Sequence, residues 1–142
     1  MMPKLAKLLV VDDEPANRDL VRHIVEPLGV EVTDAGSGSE AVSVARSERF
    51  DMILMDIRMP VVDGPAAASL IRSKAGLNAS TPIVAFTADV AGETPPPWRS
   101  MFNTILAKPI VTADLFRLLE TRLPPEPSRP RADRPDGPGR AG

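Results

Sequence analysis

The residues best suited to chemistry in this sequence are two adjacent aspartates, a third aspartate, a threonine and a lysine. They are Asp12, Asp13, Asp56, Thr87 and Lys108. Three carboxylates brought together repel one another and need a cation, and oxygen ligands without a His or Cys partner suit Mg²⁺. A carboxylate can attack phosphorus, while a lysine and a hydroxyl can bind phosphoryl oxygens. These residue types therefore predict a Mg²⁺ site that receives a phosphoryl group.

These residues follow stretches that are typical of β-strands. Continuous apolar runs indicate strands covered on both faces, and an alternating run indicates an edge strand. The continuous runs are residues 8–11, 52–55, 83–86 and 105–107, and the alternating run is 30–33. Because active residues gather at the carboxyl ends of strands in open α/β sheets, we expect the five side chains at one edge.

Helical patterns separate these strands. The apolar residues of the first helix form a stripe of Leu20, Ile24 and Leu28, beside Val21 and Val25. We expect Asp13 to cap this helix and Pro15 to lie in its first turn.

Three further segments have helical spacing. Ser37 and Glu40 have the spacing of a capping box at the start of the second helix. The apolar positions of the third and last helices are Ala67, Leu70 and Ile71, then Leu115, Leu118 and Leu119 after Thr112. Alternating strands and helices with short links predict a doubly wound α/β fold, with a parallel sheet between two helix layers.

Composition and charge narrow the function classes. The 142 residues carry a formal net charge of −2 and no cysteine, which excludes disulfides and thiol chemistry. No membrane-spanning apolar run or leader-like stretch occurs, so we expect a cytoplasmic protein that binds neither membrane nor nucleic acid. The starting methionines favour a free-standing chain. Residues 124–142 are rich in Pro, Arg and Gly, so we expect a domain of 1–123 followed by a disordered tail.

Four motifs resemble the receiver domains of two-component response regulators. They are LVVDDE at 9–14, MDIRMP at 55–60 with Asp63 and Gly64, AFTA at 85–88 and LAKP at 106–109. The resemblance covers residues 7–122 and is closest to the receivers of hybrid histidine kinases. It implies a flavodoxin-like receiver fold, with five parallel strands in order 2-1-3-4-5 and five helices.

The resemblance also implies a role for each site residue. Asp56 would accept the phosphoryl group, and Asp12, Asp13, Asp56 and the backbone carbonyl of Arg58 would hold Mg²⁺. The Thr87 hydroxyl would turn toward the phosphoryl group and Lys108 would pair with it, followed by Pro109, often through a cis bond. The implied partners are a sensor histidine kinase or histidine phosphotransfer protein, an unnamed downstream protein, and a second copy in a weak homodimer. Such a domain catalyses its own phosphorylation and dephosphorylation and is not a turnover enzyme.

Two features depart from the usual receiver pattern. The position three before the lysine, which holds Tyr or Phe in most receivers, is Ile105 here. Consecutive prolines at 95–97 disfavour helical angles, so we expect a short or irregular fourth helix from Pro97 to about Phe102. We expect residues 90–102 to be the most mobile part of the domain.

Three alternative functions remain open on sequence grounds. Gly36, Gly38 and Ala41 fit the G-x-G-x-x-G/A fingerprint of nucleotide-binding folds. A phosphatase with an aspartyl nucleophile typically places an acid two residues later, where this chain has Arg58. A non-phosphorylated pseudo-receiver would serve only as a binding module.

Overall fold

The computed structural model describes residues 6–73, 76–88 and 96–122. Five parallel strands form one sheet in the order β2-β1-β3-β4-β5. The strands are β1 (Ala6–Val11), β2 (Val30–Ala35), β3 (Met52–Asp56), β4 (Ile83–Thr87) and β5 (Thr104–Ala107). All five predicted strands and their order are confirmed.

The described residues contain four α-helices and two 3₁₀ helices. The α-helices are α1 (Pro15–Val25), α2 (Gly38–Ser47), α3 (Gly64–Arg72) and α4 (Thr112–Arg122). The 3₁₀ helices are Glu26–Leu28 and Pro97–Met101. The second of these replaces the fourth of the five expected helices, which confirms a short and irregular segment from Pro97. None of the described helices is long and apolar enough to cross a membrane.

The sheet separates two apolar cores, because successive strand side chains point to opposite faces. Val21 and Val25 of α1 and Leu115 of α4 pack on one face, and Ala41 of α2 and Ala67 of α3 pack on the other. In the three central strands, the residues of the α1–α4 face are Leu8, Val10, Met52, Leu54, Val84 and Phe86, and those of the opposite face are Leu9, Val11, Ile53, Met55, Ile83 and Ala85. A parallel sheet covered on both faces explains the continuous apolar runs of the sequence.

The apolar stripe predicted for α1 was wrong in part. Leu20 and Leu28 are 44% and 55% exposed, whereas Val21 and Val25 are fully buried. Both sets have the four-residue spacing of one helix face, so the sequence alone did not choose between them. Leu28 also lies beyond the helix, in the 3₁₀ turn that ends at Gly29 with a φ of 87°.

Only one of the two predicted helix caps is confirmed. The Oγ of Ser37 accepts the backbone N–H of Glu40 at 3.1 Å, as the capping-box spacing predicts. Asp13 does not cap α1, which begins after Glu14 without a side-chain cap. The side-chain bond at this turn comes from Asp12, whose Oδ1 accepts the N–H of Glu14, the residue before the helix, at 2.8 Å.

Two predictions fall outside the described residues. The tail at 124–142, with its boundary after residue 123, lies beyond the last described position. Positions 90–95, the first part of the segment for which mobility was predicted, also lie outside the described ranges. Both expectations stay predictions.

Candidate functional site

The strand register brings the predicted site residues to one edge of the sheet. Val11 lies opposite Met55 in the β1–β3 pair, so the residues that follow, Asp12 and the last residue of β3, emerge side by side. Thr87 lies opposite Ala107 in the β4–β5 pair, so Lys108 follows at the same edge. Parallel strands share their carboxyl ends, which is why residues far apart in sequence meet there.

Lys108 joins the two buried carboxylates. Its Nζ lies 2.8 Å from Oδ2 of Asp12 and 3.2 Å from Oδ1 of Asp56. Asp12 is fully buried and Asp56 is 5% exposed. The Lys108 ammonium also lies 4.8 Å from the ring centroid of Phe86, within the range of a cation–π contact. One ammonium therefore offsets part of the repulsion between two carboxylates.

Asp13 completes a cluster of three carboxylates. Among the described residues, Asp12, Asp13 and Asp56 each offer one oxygen, and these oxygens lie within 4.8 Å of one another. Asp13 is exposed and lines a cleft of about 420 Å³ with Asp56, Arg58, Thr87, Ala88 and Lys108. Oxygen-only donors beside an open cleft fit Mg²⁺, which keeps several of its positions for water and phosphate oxygens.

Burial and charge set the protonation of this cluster. Burial, and next the negative charge of Asp12, raise the pKa of Asp56 to about 6, against a smaller lowering by Lys108. Burial lowers the pKa of Lys108, but the hydrogen bond and charge of Asp12 and the charge of Asp56 outweigh it, so the net shift is upward. At neutral pH the site therefore holds an ammonium beside a largely ionised Asp56.

Thr87 and Arg58 lie beside Asp56 in the cleft. Thr87 is 3% exposed, and its backbone carbonyl accepts the N–H of Lys108 at 3.0 Å. The backbone N–H of Arg58 points to Oδ1 of Asp56 at 3.4 Å. The peptide bond between Lys108 and Pro109 is cis, as the motif implies.

Two neighbours of Asp12 were not singled out from the sequence. Nδ2 of Asn17 donates to Oδ2 of Asp12 at 3.1 Å, and Nη1 of Arg18 donates to its backbone carbonyl at 2.6 Å. Both residues lie on α1, five and six positions after Asp12. Asp12 lies two residues before the N-cap of α1, Glu14, and side chains in the first turn of a helix can reach back to that position, which was the available signal.

A glycine and a strained valine shape the loop after Asp56. A Cβ on Gly64 would lie 2.2 Å from the Asp56 carbonyl oxygen, so only glycine allows α3 to start this close to β3. Val61 has a φ of 69°, and the N–H of Val62 donates to the carbonyl of Pro60 at 2.8 Å. This is a tight three-residue turn with a β-branched residue at its centre.

The glycines of the fingerprint at 36–41 allow close packing within the chain and do not form a nucleotide-binding loop. A Cβ on Gly38 would lie 2.2 Å from the backbone oxygen of Val62, so the start of α2 packs against the chain itself. The Gly36 N–H, which would face a pyrophosphate in a nucleotide site, donates to the Glu40 carboxylate at 2.8 Å. The nucleotide-binding alternative is not favoured, because the chain fills that space with its own groups.

The fold and the acidic cluster together define a receiver of two-component signalling, and the comparisons agree. The family model of the response regulator receiver domain matches residues 8–120, so the chain belongs to that family. The Sensor protein GacS of Pseudomonas syringae pv. syringae is 40% identical over 116 residues, which are 80% of this chain and 13% of that protein. This chain thus spans a small part of that relative.

Solved structures show the same fold. The receiver domain of the sensor histidine kinase PA1611 from Pseudomonas aeruginosa PAO1, with a magnesium ion in its active-site cleft, is 35% identical with a TM-score of 0.75. The match covers 84% of this chain and 98% of that one. Vibrio cholerae CheY4 is 31% identical with a TM-score of 0.77, over 84% of this chain and 100% of that one.

Membership of the family has general consequences. Receiver domains bind Mg²⁺ and interact with histidine kinases or phosphotransfer proteins. They are phosphoacceptors and not conventional enzymes. The pseudo-receiver alternative is not favoured by these findings.

Proposed function

We propose that Asp56 takes a phosphoryl group from a phosphohistidine, with Mg²⁺ held by Asp12, Asp13, Asp56 and the backbone carbonyl of Arg58. The observation that carries the proposal is the shared contact of the Lys108 ammonium with Asp12 and Asp56. A phosphoryl group and a carboxylate repel each other, so an acceptor needs fixed positive charge beside it. Lys108 supplies that charge from a neighbouring strand end.

The transfer forms one bond and breaks one. An oxygen of Asp56 bonds to phosphorus as the bond between phosphorus and the donor imidazole nitrogen breaks. The electron pair of the broken bond stays on the imidazole, which takes up a proton and leaves neutral. When bound, Mg²⁺ supplies charge neutralisation and orients the phosphoryl oxygens. A pKa of about 6 leaves most Asp56 ionised at pH 7, in the form that attacks.

Two further side chains bind the new acyl phosphate. The Lys108 ammonium exchanges part of its contact with Asp56 for a phosphoryl oxygen, and the Thr87 hydroxyl turns to donate a hydrogen bond to another. Both residues line the same cleft as Asp56, which supports this assignment. Hydrolysis of the acyl phosphate in the same cleft returns the receiver to its resting state.

The donor is a sensor histidine kinase or a histidine phosphotransfer protein. The phosphorylated receiver then acts through contact with a downstream protein, or serves as a sink that drains phosphoryl groups from the donor. The similarity to hybrid-kinase receivers supports the phosphohistidine donor.

Label transfer from a phosphohistidine protein tests the proposal. A phosphotransfer protein carrying radiolabelled phosphohistidine should pass the label to this chain in the presence of Mg²⁺ and not after chelation. Asp56→Asn should receive no label. Asp51→Asn is the matched control, because Asp51 lies just before β3, at the opposite end of the strand, and binds the Lys7 N–H. Label that persists on the Asp56→Asn protein would contradict the assignment.

A further inference from the structure

We propose that Arg18 is a positioning residue for the metal-binding turn, acting through the peptide group that joins Asp12 to Asp13. This inference rests on the proposed function, because it takes Asp12 and Asp13 as the residues that hold Mg²⁺. It concerns the orientation of those two residues and gives Arg18 no contact with the phosphoryl group.

The main chain of Asp12 is held from both sides. Its N–H donates to the carbonyl of Ala35 at 3.1 Å, which continues the ladder between β1 and β2. Its carbonyl accepts the short bond of 2.6 Å from Nη1 of Arg18. That carbonyl shares a planar peptide group with the N–H of Asp13. Arg18 therefore holds the orientation of the peptide group between Asp12 and Asp13, from which both carboxylate side chains extend.

Arg18 is itself held in place by charge. Its Nε lies 3.2 Å from Oδ2 of Asp34, and Oδ1 of Asp34 lies 3.3 Å from Nη2 of Arg22. Arg22 is tied in turn to the carbonyl of Val32 at 3.2 Å and to Glu26 at 2.9 Å. This chain of contacts runs along β2 and α1 and ends at the carbonyl of Asp12.

The surroundings keep the guanidinium of Arg18 in this geometry. Its side chain is 19% exposed. A Cβ on Gly36 would lie 3.3 Å from Nη1 of Arg18, so the absent side chain leaves room for the guanidinium. A planar guanidinium can meet a carboxylate and a carbonyl at once, whereas a lysine ammonium cannot reproduce that fork.

The expected consequence is a change in Mg²⁺ affinity more than in reactivity. Partners of the groups that hold a metal set their orientation, and their removal typically weakens metal affinity by about 10- to 100-fold. The charge of Arg18 is paired with Asp34 on the β2 side of the turn. Once Mg²⁺ saturates the site, the transfer rate should therefore be close to that of the unchanged chain.

Magnesium titration of the full chain tests this inference. Calorimetry should give a Mg²⁺ dissociation constant at least about tenfold higher for Arg18→Met than for the unchanged chain. The rate of phosphorylation by acetyl phosphate at saturating Mg²⁺ should stay within about twofold. Arg18→Lys should recover part of the affinity, since an ammonium keeps one donor for the Asp12 carbonyl.

Arg22→Met is the matched control. Arg22 belongs to the same set of contacts and bonds Asp34, Glu26 and the Val32 carbonyl. Its loss should lower the melting temperature and change the Mg²⁺ dissociation constant much less than Arg18→Met does, because Arg18 keeps its own bonds to Asp34 and to the Asp12 carbonyl. The inference is overturned if Arg18→Met binds Mg²⁺ like the unchanged chain, or if Arg22→Met loses as much affinity as Arg18→Met. The proposed function fails separately, if the unchanged chain is not phosphorylated on Asp56.

Discussion

The ammonium of Lys108 lies 3.2 Å from Oδ1 of Asp56, although strands β4 and β5 lie between the two residues in the sequence. The same ammonium lies 2.8 Å from Oδ2 of Asp12. A single cation shared by two carboxylates leaves the cluster of Asp12, Asp13 and Asp56 with excess negative charge. The free energy of unfolding of the unphosphorylated domain should therefore depend on pH and on Mg²⁺.

Asp56→Asn should stabilise the domain at neutral pH when Mg²⁺ is chelated. Burial and the charge of Asp12 raise the pKa of Asp56 from 3.8 to about 6. The folded state thus binds this proton more tightly than the unfolded state, and stability is lost as pH rises from about 4 to about 6. Removing the charge should raise the free energy of unfolding at pH 7.5 by about 1–3 kcal/mol, and by much less at pH 4.

Urea unfolding of both proteins at the two pH values measures this difference. Asp19→Asn, a change to an exposed carboxylate of α1, should show no comparable gain. A mutant at position 56 that is no more stable than the unchanged chain at pH 7.5 would show that the ionised carboxylate of Asp56 does not destabilise the fold.

Gly64→Ala should destabilise the domain. The added Cβ would lie 2.2 Å from the carbonyl oxygen of Asp56, and backbone cannot move aside as a flexible side chain can. Overpacking of this kind typically costs about 1–3 kcal/mol. Gly76→Ala is the control, because its Cβ would meet nothing within 4 Å. Equal unfolding midpoints for the two variants would contradict the close approach of α3 to β3.

Val61→Gly should stabilise the domain. Val61 has a φ of 69° and is fully exposed, so its side chain contributes strain without burying surface. Left-handed backbone costs an L-residue about 1–2 kcal/mol, and the extra freedom of glycine in the unfolded chain takes back about 0.5–1 kcal/mol. The net gain should be about 0.5–1 kcal/mol in thermal or urea unfolding.

Val111→Gly provides the comparison for that change. Val111 is also an exposed loop valine, at 53%, and among the described non-glycine residues only Val61 has a positive φ. The carbonyl of Val111 accepts the N–H of Leu115 at the start of α4, a position that tolerates glycine, and no backbone strain is relieved there, so the same substitution should change stability less than at Val61. If both variants lose stability equally, the turn at Val61 is not strained.

The sheet and the site followed from the sequence because their signals are local. Each strand is a short apolar run, and each functional residue directly follows one, so the parallel arrangement alone brings them together. The proximity of Asp12, Asp56 and Lys108 could therefore be predicted without knowing any long-range side-chain contact. The start of the 3₁₀ helix at Pro97 also followed locally, since proline restricts its own backbone and the residue before it.

The missed features depend on contacts between distant segments. Whether Leu20 or Val21 faces the sheet is decided by how α1 sits on it, since both have helical spacing. Gly38 resembled part of a phosphate-binding loop because the sequence does not reveal that Val62 fills the space beside it. Arg18 resembled an ordinary surface residue because its partners, the Asp12 carbonyl and Asp34, lie on two different strand ends.

Trp98 should report on the site. It is the only tryptophan of the chain, and it lines a cleft with Arg58, Met59 and Pro60 of the loop that follows Asp56. Its ring also packs edge-to-face on Phe102, with centroids 5.6 Å apart. Ile105 has no aromatic ring to rotate when the site is occupied. We therefore expect a conformational change in the loop after Asp56 to alter the surroundings of Trp98.

Fluorescence titration with Mg²⁺ measures that coupling. The emission of Trp98 should change along a saturable curve with the dissociation constant found by calorimetry, and Asp13→Asn should shift the curve to higher Mg²⁺. Emission that stays constant while calorimetry shows saturation would mean that Trp98 is insensitive to the site.

The most direct test of the phosphoacceptor assignment is chemical mapping of the phosphorylated residue. After incubation with Mg²⁺ and a phosphodonor, borohydride reduces an aspartyl phosphate to homoserine, which mass spectrometry of peptides can locate. The account predicts homoserine at position 56 and at no other aspartate, and none without Mg²⁺ or in Asp56→Asn. Phosphate retained on Ser, Thr or the single histidine of the chain, His23, or homoserine at Asp12 or Asp13, would contradict it.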